Sequence, residues 1–431
     1  MGLFGTSMSS RTTQLAHLAA TLISICRLLI FNANLVNANL VEASNDTEDN
    51  VRVRIEVKTP DTDNAVESAE ELYLSGNVKE LGEWRPNGLK LHRADENVYV
   101  AEFSVPAGSR VQYKVTRGSW HTVEKDSSGK DIANREFVAS KEGDSPQKVS
   151  IVVQRWGASE PVKSTVTGTL KLHEQITSQY LSRTRNISVW LPPDYEESDK
   201  RYPVLYLQDG QNLFDESTAA FGVEWRADES ATDLVEKREI PSLIIVGIWD
   251  TADRMDEYTL TKDERIGRGG RGLDYIRFIV EELKPLIDRT YRTRTDREST
   301  SIGGSSLGGL IAMHACLEKP DVFGNCLAFS PTLGWDQDRL LRSLQNGTQW
   351  PANVRLWFSM GTREGRDSES QKLNFARAQR LQQLLSPDAT TTKAPDQFHE
   401  FADASHDEKS WSAQLPIALK STMPFIDNPE K

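Results

Sequence analysis

The chain has 431 residues, 38% of them hydrophobic and 26% charged, a balance ordinary for a soluble globular protein and a length that suits two domains. Its formal net charge of -12 argues against nucleic acid or an anionic membrane surface as the main partner, and fits neutral substrates such as sugars or esters. With only 3 cysteines and no Cys/His zinc spacing, neither a disulfide framework nor a metal site is expected.

Residues Leu15 to Phe31 form an apolar run preceded by Arg11 and followed by small residues at Ala38 and Ala43. That is the layout of a secretory signal over 1–43, and it implies a secreted or periplasmic protein with no membrane partner once the leader is cleaved. His17 and Arg27 interrupt the run, which leaves an uncleaved anchor or a mis-assigned start codon as alternatives. Polar, acidic residues 44–50 read as a disordered tether. From 51 to 156 short alternating strands, such as Val51-Val53-Ile55-Val57 and Val111-Tyr113-Val115, are separated by turns such as Arg85-Pro86-Asn87-Gly88, the pattern of an all-β sandwich. Residues 157–169, rich in Ser, Pro and Thr, read as a linker.

The pattern changes over 170–431. Buried runs at Pro203 to Leu207, Ser242 to Gly247, Cys326 to Phe329 and Val354 to Phe358 alternate with helical stretches at Leu273 to Tyr291, Gln371 to Leu385 and Trp411 to Thr422. Such alternation predicts an α/β domain with a mostly parallel sheet covered on both faces.

Chemistry concentrates in Gly304-x-Ser306-x-Gly308, preceded by a strand and followed by a helix, with further glycines at Gly303 and Gly309. This is the nucleophile-elbow pattern: the turn is so tight that a Cβ two residues either side of the serine would clash. It sets the serine at a helix N-terminus, where the N–H of Leu307 can stabilise an oxyanion. A serine hydroxyl needs a histidine to take its proton and a carboxylate to orient that histidine. In α/β-hydrolases these follow the serine in the order acid, then histidine. Of the 7 histidines, that order leaves His399 and His406. His399 lies inside the predicted strand Gln397 to Phe401. His406 follows in a loop at the sheet edge where sites form, and is the preferred base. The acid after the preceding strand is Glu364, with Asp367 and Asp403 as alternatives. The first oxyanion donor is the N–H of Gly210 or Gln211, after the strand ending in Leu207, with Gln211 preferred. Gly267-Arg268-Gly269-Gly270-Arg271-Gly272 matches GxGxxG but follows no buried strand, so it reads as a mobile, glycine-hinged loop and not a dinucleotide site.

From Leu170 to about Phe425 the chain resembles an esterase family of α/β-hydrolases that includes family 1 carbohydrate esterases, enterochelin esterases and S-formylglutathione hydrolases. Val189-Trp190-Leu191-Pro192-Pro193-Asp194-Tyr195, Tyr202 to Tyr206, Gly210, Arg254 with Glu257-Tyr258, Gly303 to Leu310, Gly361 to Glu364 and His406 carry the resemblance. It implies Ser306, Glu364 and His406 as nucleophile, acid and base, no cofactor, and Arg254 and Tyr258 as substrate contacts. Residues Val51 to Ser140 resemble family 20 starch-binding modules through Leu74 to Asn77, Leu81 to Trp84, Gln112 to Val115 and Asn134 to Phe137. That resemblance implies a glycan held by Trp84, Lys114 and Trp120, because aromatic faces pack on sugar C–H groups.

These residues together predict an exported serine esterase acting on ester-decorated carbohydrate, its partners a glycan and a small ester. One alternative is siderophore-ester hydrolysis, for which Arg254, Arg268 and Arg271 would attract an acidic catecholate. The other is a non-catalytic glycan-binding protein on a hydrolase-like scaffold.

Overall fold

The computed structural model describes residues 50–60, 71–141, 145–157, 164–385 and 397–423. The leader and nearly all of the tether lie outside the described residues, as does the first half of the linker. Among the described residues no helix is long and apolar enough to cross a membrane.

The front module is a sandwich of two four-stranded sheets. In one, Asn50–Lys58 lies between Val98–Pro106, antiparallel to it, and Gln147–Val152, parallel to it, with His92–Asp95 at the edge. In the other, Tyr73–Gly76 and Arg110–Thr116 pair at the centre, flanked by Leu89–Lys90 and Arg135–Val138. Alternation does the work here. Val51, Val53, Ile55 and Val57 all point inward against Leu74, Val111, Tyr113 and Val115, while the intervening Arg52 and Glu56 face water.

The second domain is built on an eight-stranded sheet: β1 (Thr169–Ile176), β2 (Arg185–Leu191), β3 (Val204–Gln208), β4 (Ile244–Ile248), β5 (Thr300–Ser305), β6 (Asn325–Phe329), β7 (Arg355–Gly361) and β8 (Phe398–Phe401). The order across the sheet is β1-β2-β4-β3-β5-β6-β7-β8. β1 and β2 are antiparallel additions, and from β4 to β8 every pairing is parallel. Strands β3 to β6 are buried along their whole length, because helices cover both faces. One face packs α2 (Leu307–Glu318) and the helical run from Gly272 to Thr290; the other packs α1 (Ala227–Glu236) and α4 (Glu408–Thr422). α3 (Ser368–Leu385) follows β7. This is the α/β-hydrolase fold behind a β-sandwich. Cys316 and Cys326 are buried free thiols within its core.

A buried ion pair braces β2. The side chains of Arg185 and Glu257 are both fully buried, and Arg185 donates two hydrogen bonds of 3.0 and 2.9 Å to the carboxylate while its guanidinium lies over the Tyr275 and Phe278 rings. The glycine-hinged segment is no free loop. Arg268–Gly269 pairs with Lys262–Asp263, and the Arg268 guanidinium is held by Asp256 at 2.6 Å. A glycine run supplies the tight hairpin, and charge fastens it.

Candidate active site

Ser306 sits between β5 and α2 with φ 56° and ψ -121°, a left-handed conformation that is costly for any residue with a Cβ and persists only where its surroundings enforce it. Close packing of the neighbouring backbone does the enforcing. A Cβ on Gly304 would stand 2.8 Å from the Gln208 side chain and 2.9 Å from the Gly308 carbonyl carbon. Leu307 opens the helix, so its N–H belongs to the first turn that finds no acceptor inside the helix.

His406 arrives from the loop between β8 and α4. Its Nε2 lies 2.9 Å from Ser306 Oγ and its Nδ1 lies 2.9 Å from Glu364 Oε2. The tautomer protonated on Nδ1 donates to Glu364 and leaves Nε2 to accept from the serine hydroxyl. Glu364 is buried, only 2% exposed. Its other oxygen accepts from the Gly361 N–H at 2.6 Å and from the Ser330 hydroxyl. The alternatives fall elsewhere. Asp403 pairs with Arg363 on the surface, Asp367 accepts the Ser370 N–H beside the start of α3, and His399 stacks on Trp357 in β8.

Four residues of this site were not legible in the sequence. Ser330 passes a hydrogen bond from Trp411 Nε1 to Glu364, and the Trp411 ring meets His406 edge-on with centroids 5.0 Å apart. Thr332 Oγ1 lies 3.1 Å from Ser306 Oγ. The Glu408 carboxyl is pushed up to about 7, chiefly by burial and also by Asp209, with His406 pulling the other way. Ser330 and Thr332 follow β6 directly, at the C-terminal edge next to the elbow strand; that register was the available signal.

Gln211 occupies the short turn Gly210–Asn212 after β3, and its side chain bonds Asp250 at 2.9 Å. Asp209 before it accepts from Arg254 Nε and Nη2, each at 2.7 Å, so Arg254 is a clamp on the loop. Tyr258 departs from the substrate-contact expectation: it is fully buried, and its hydroxyl accepts the Asp209 N–H at 3.3 Å. A side chain used to hold Asp209 from below has no face left for a ligand.

The glycan residues depart further. Lys114 is 6% exposed and donates to the Ile132 carbonyl, and burial pulls its ammonium below the usual lysine range. Trp120 is 7% exposed. Its turn, Trp120–Thr122, lies against Ala220–Gly222 of the hydrolase domain, where a Cβ on Gly222 would come within 3.5 Å of the His121 ring. Trp84 is half-buried in a turn whose residues Glu83 and Trp84 have φ of 51° and 68°. Glu83 uses that turn to reach Arg268 across the domain boundary. Trp120 is therefore withdrawn from solvent and docked on the hydrolase, while Trp84 keeps part of its surface accessible beside the contact that Glu83 makes. A crevice of about 460 Å³ opens at this junction, lined by Arg85 of the module and by Arg183 and Asp250 of the hydrolase. A larger cavity, about 720 Å³, lies at the opposite end of the strands near Pro203, Gly324 and Val354, away from the serine.

The arrangement is one that acyl transfer requires: a hydroxyl, a base in contact with it, and a buried carboxylate orienting the base. Residues 178–422 match the family model described as "Putative esterase", and residues 50–149 match that of the starch binding domain. The uncharacterized protein YbbA of Bacillus subtilis is 29% identical over 198 residues, 45% of this chain and 74% of that protein. Ferri-bacillibactin esterase BesA of the same organism is 31% identical over 177 residues, 36% of this chain and 58% of that protein. The structure of an IroE-like serine hydrolase from Shewanella oneidensis is 25% identical with a TM-score of 0.45, covering 58% of this chain and 79% of that one. The chain belongs to the esterase family whose model spans its second domain, and carries in front of it a module of the starch-binding-domain type.

Proposed function

We propose that this esterase is a serine hydrolase that removes acyl groups from carbohydrate. The single observation that carries the mechanism is the hydrogen-bonded series Ser306–His406–Glu364 on a strained elbow. His406 takes the Ser306 proton as Oγ attacks the ester carbonyl, and Glu364 stabilises the resulting imidazolium. The N–H groups of Leu307 and Gln211 receive the oxyanion. The alcohol leaves with the proton from His406, and water, activated by the same imidazole, releases the acid from the acyl-enzyme.

The starch-binding-type module supports a carbohydrate as the alcohol part, and the junction between domains supports the crevice near Arg85 and Asp250 as its seat in place of the Trp84–Trp120 stack. A siderophore ester is the second reading, favoured by the resemblance to a bacillibactin esterase. Charge pairing counts against it: Arg254 is neutralised by Asp209, Arg268 by Asp256 and Glu83, and Arg271 faces Asp274. Export is proposed on the leader pattern of residues 1–43 alone, and N-terminal sequencing of the mature protein tests it.

The first experiment is hydrolysis of short-chain p-nitrophenyl esters by the leader-free chain beside Ser306→Ala. Turnover lost only in the variant supports the mechanism. If neither protein turns over and a fluorophosphonate fails to label Ser306, the non-catalytic reading takes its place. Acetylated oligosaccharides and a tricatecholate lactone then separate the two substrate classes.

A further inference from the structure

Away from the serine, three carboxylates converge where α1 begins. One oxygen from each of Glu224, Asp228 and Glu229 lies within 4.8 Å of the others. Glu224 is 5% exposed and Asp228 fully buried. Each carboxylate has one oxygen engaged: Glu224 with the Thr165 hydroxyl, Asp228 with the Thr167 N–H at 2.6 Å, and Glu229 with Arg226 Nε at 3.4 Å. Each also has one buried oxygen that no donor group faces, Glu224 Oε2, Asp228 Oδ1 and Glu229 Oε2, and the Asp228 and Glu229 carboxyls lie close enough to share a proton. A buried polar oxygen without a partner destabilises the fold, more so when it is charged, and three that crowd together repel. Asp215 and Glu216 add further negative charge beside Glu224. Protons or a cation would relieve the charge of such a cluster.

We propose that Glu224, Asp228 and Glu229 bind a hard divalent cation, and that the cation is calcium. The donor set is all oxygen and anionic, which suits calcium or magnesium and gives softer metals no thiolate or imidazole. Magnesium keeps several waters and demands near-regular octahedral geometry, whereas calcium accepts irregular carboxylate shells, with opposing oxygens as much as about 5 Å apart. The ion would join three segments. Thr165 and Thr167 belong to the linker, Glu224 closes the loop that starts at Gln211, and Asp228 and Glu229 open α1. It would thus fasten the linker and the oxyanion loop to the same helix. Acidic side chains in a first helical turn also favour the helix dipole, which explains their position but not their unpartnered oxygens.

The test uses the whole chain stripped with EDTA. Terbium, a calcium surrogate, is titrated while tryptophan is excited, because Trp225 adjoins Glu224. The expected result is sensitised emission that calcium displaces and magnesium at equal concentration does not, with one calcium bound per chain by calorimetry. Glu224→Gln should weaken binding by at least the roughly tenfold that losing even an outer partner costs. That variant removes repulsion, so the stripped variant should melt no lower than the stripped parent, and failed folding does not cloud the result. No calcium binding at millimolar concentration, or binding untouched by Glu224→Gln, overturns the proposal. Displacement by magnesium as readily as by calcium overturns the choice of ion.

Discussion

At the residue scale, the site shows why a carboxylate's setting outweighs its charge. Glu364 gives one oxygen to His406 and the other to Gly361 and Ser330, so its orientation is fixed before substrate arrives. Glu364→Ala is expected to lower kcat by about 10⁴-fold with little change in KM, because the imidazole loses its tautomer and its counter-charge while the elbow stays intact. A burst assay with a p-nitrophenyl ester reads both steps. Glu257→Gln addresses the other buried pair: it leaves the Arg185 charge without its partner and should cost about 3–5 kcal/mol, measured by urea unfolding of the hydrolase transition. The Glu224 and Asp228 carboxyls, pushed up to about 7 and about 8 chiefly by burial, invert the usual acid behaviour. With folded values above unfolded ones, the native chain holds protons that the unfolded chain has released, so stability is greatest below about pH 4 for these groups and is lost as pH rises through about 8. The melting temperature of the EDTA-treated protein should therefore fall between about pH 5 and pH 8, and Asp228→Asn should flatten that slope.

At the scale of elements, the elbow is a packing problem solved by absent side chains. Gly304→Ala would put a methyl group against the Gly308 backbone, and the serine would leave its φ of 56° or the helix would move. Loss of at least about 100-fold in kcat with the far-ultraviolet circular dichroism unchanged is the expected outcome, since a displacement near 1 Å at reacting atoms is enough for that. This element was legible in full: strand, tight turn and helix each left a local signature around Ser306. His406 and Glu364 were legible because topology orders them along the chain. The α/β sheet and the sandwich strands were legible from the period of their apolar residues. What remained hidden was lateral. Ser330, Thr332, Trp411 and Glu408 gain their roles from neighbours far away in sequence; a place just after β6 marks Ser330 and Thr332 as edge residues without saying what they touch. Two of the three glycan residues failed for a related reason: a motif records what a module's surface can present, whereas Lys114 is covered within its own module and Trp120 by the hydrolase turn packed on it. Tyr258 failed likewise, since an aromatic beside a clamp arginine reads the same whether it faces ligand or core.

At the scale of the molecule, the two domains meet through charge and turns, and among the described residues the sandwich core and the hydrolase core are separate clusters. Glu83 and Arg268 cross the boundary, each about one-fifth exposed. Glu83→Lys sets two cations face to face there and should cost about 1 kcal/mol, between the values for exposed and buried pairs. Faster proteolytic cutting near residues 157–169 would register it. If the crevice seats the glycan, the same variant raises KM for acetylated oligosaccharides and leaves p-nitrophenyl acetate unaffected. An equal effect on both substrates would sink that placement.

The bonds that Ser164 and Thr165 make to the 215–216 turn, and Thr167 makes to α1, carry a further consequence. A module on a slack leash lets its enzyme sample every ester within the leash's reach, so the products follow chance. Here the leash is fastened along its second half. If the proposed acylated glycan is gripped at the junction, it would meet Ser306 at a set number of sugar units from the grip. The molecule then works as a ruler, and partly deacylated oligomers would show a regular spacing of bare positions.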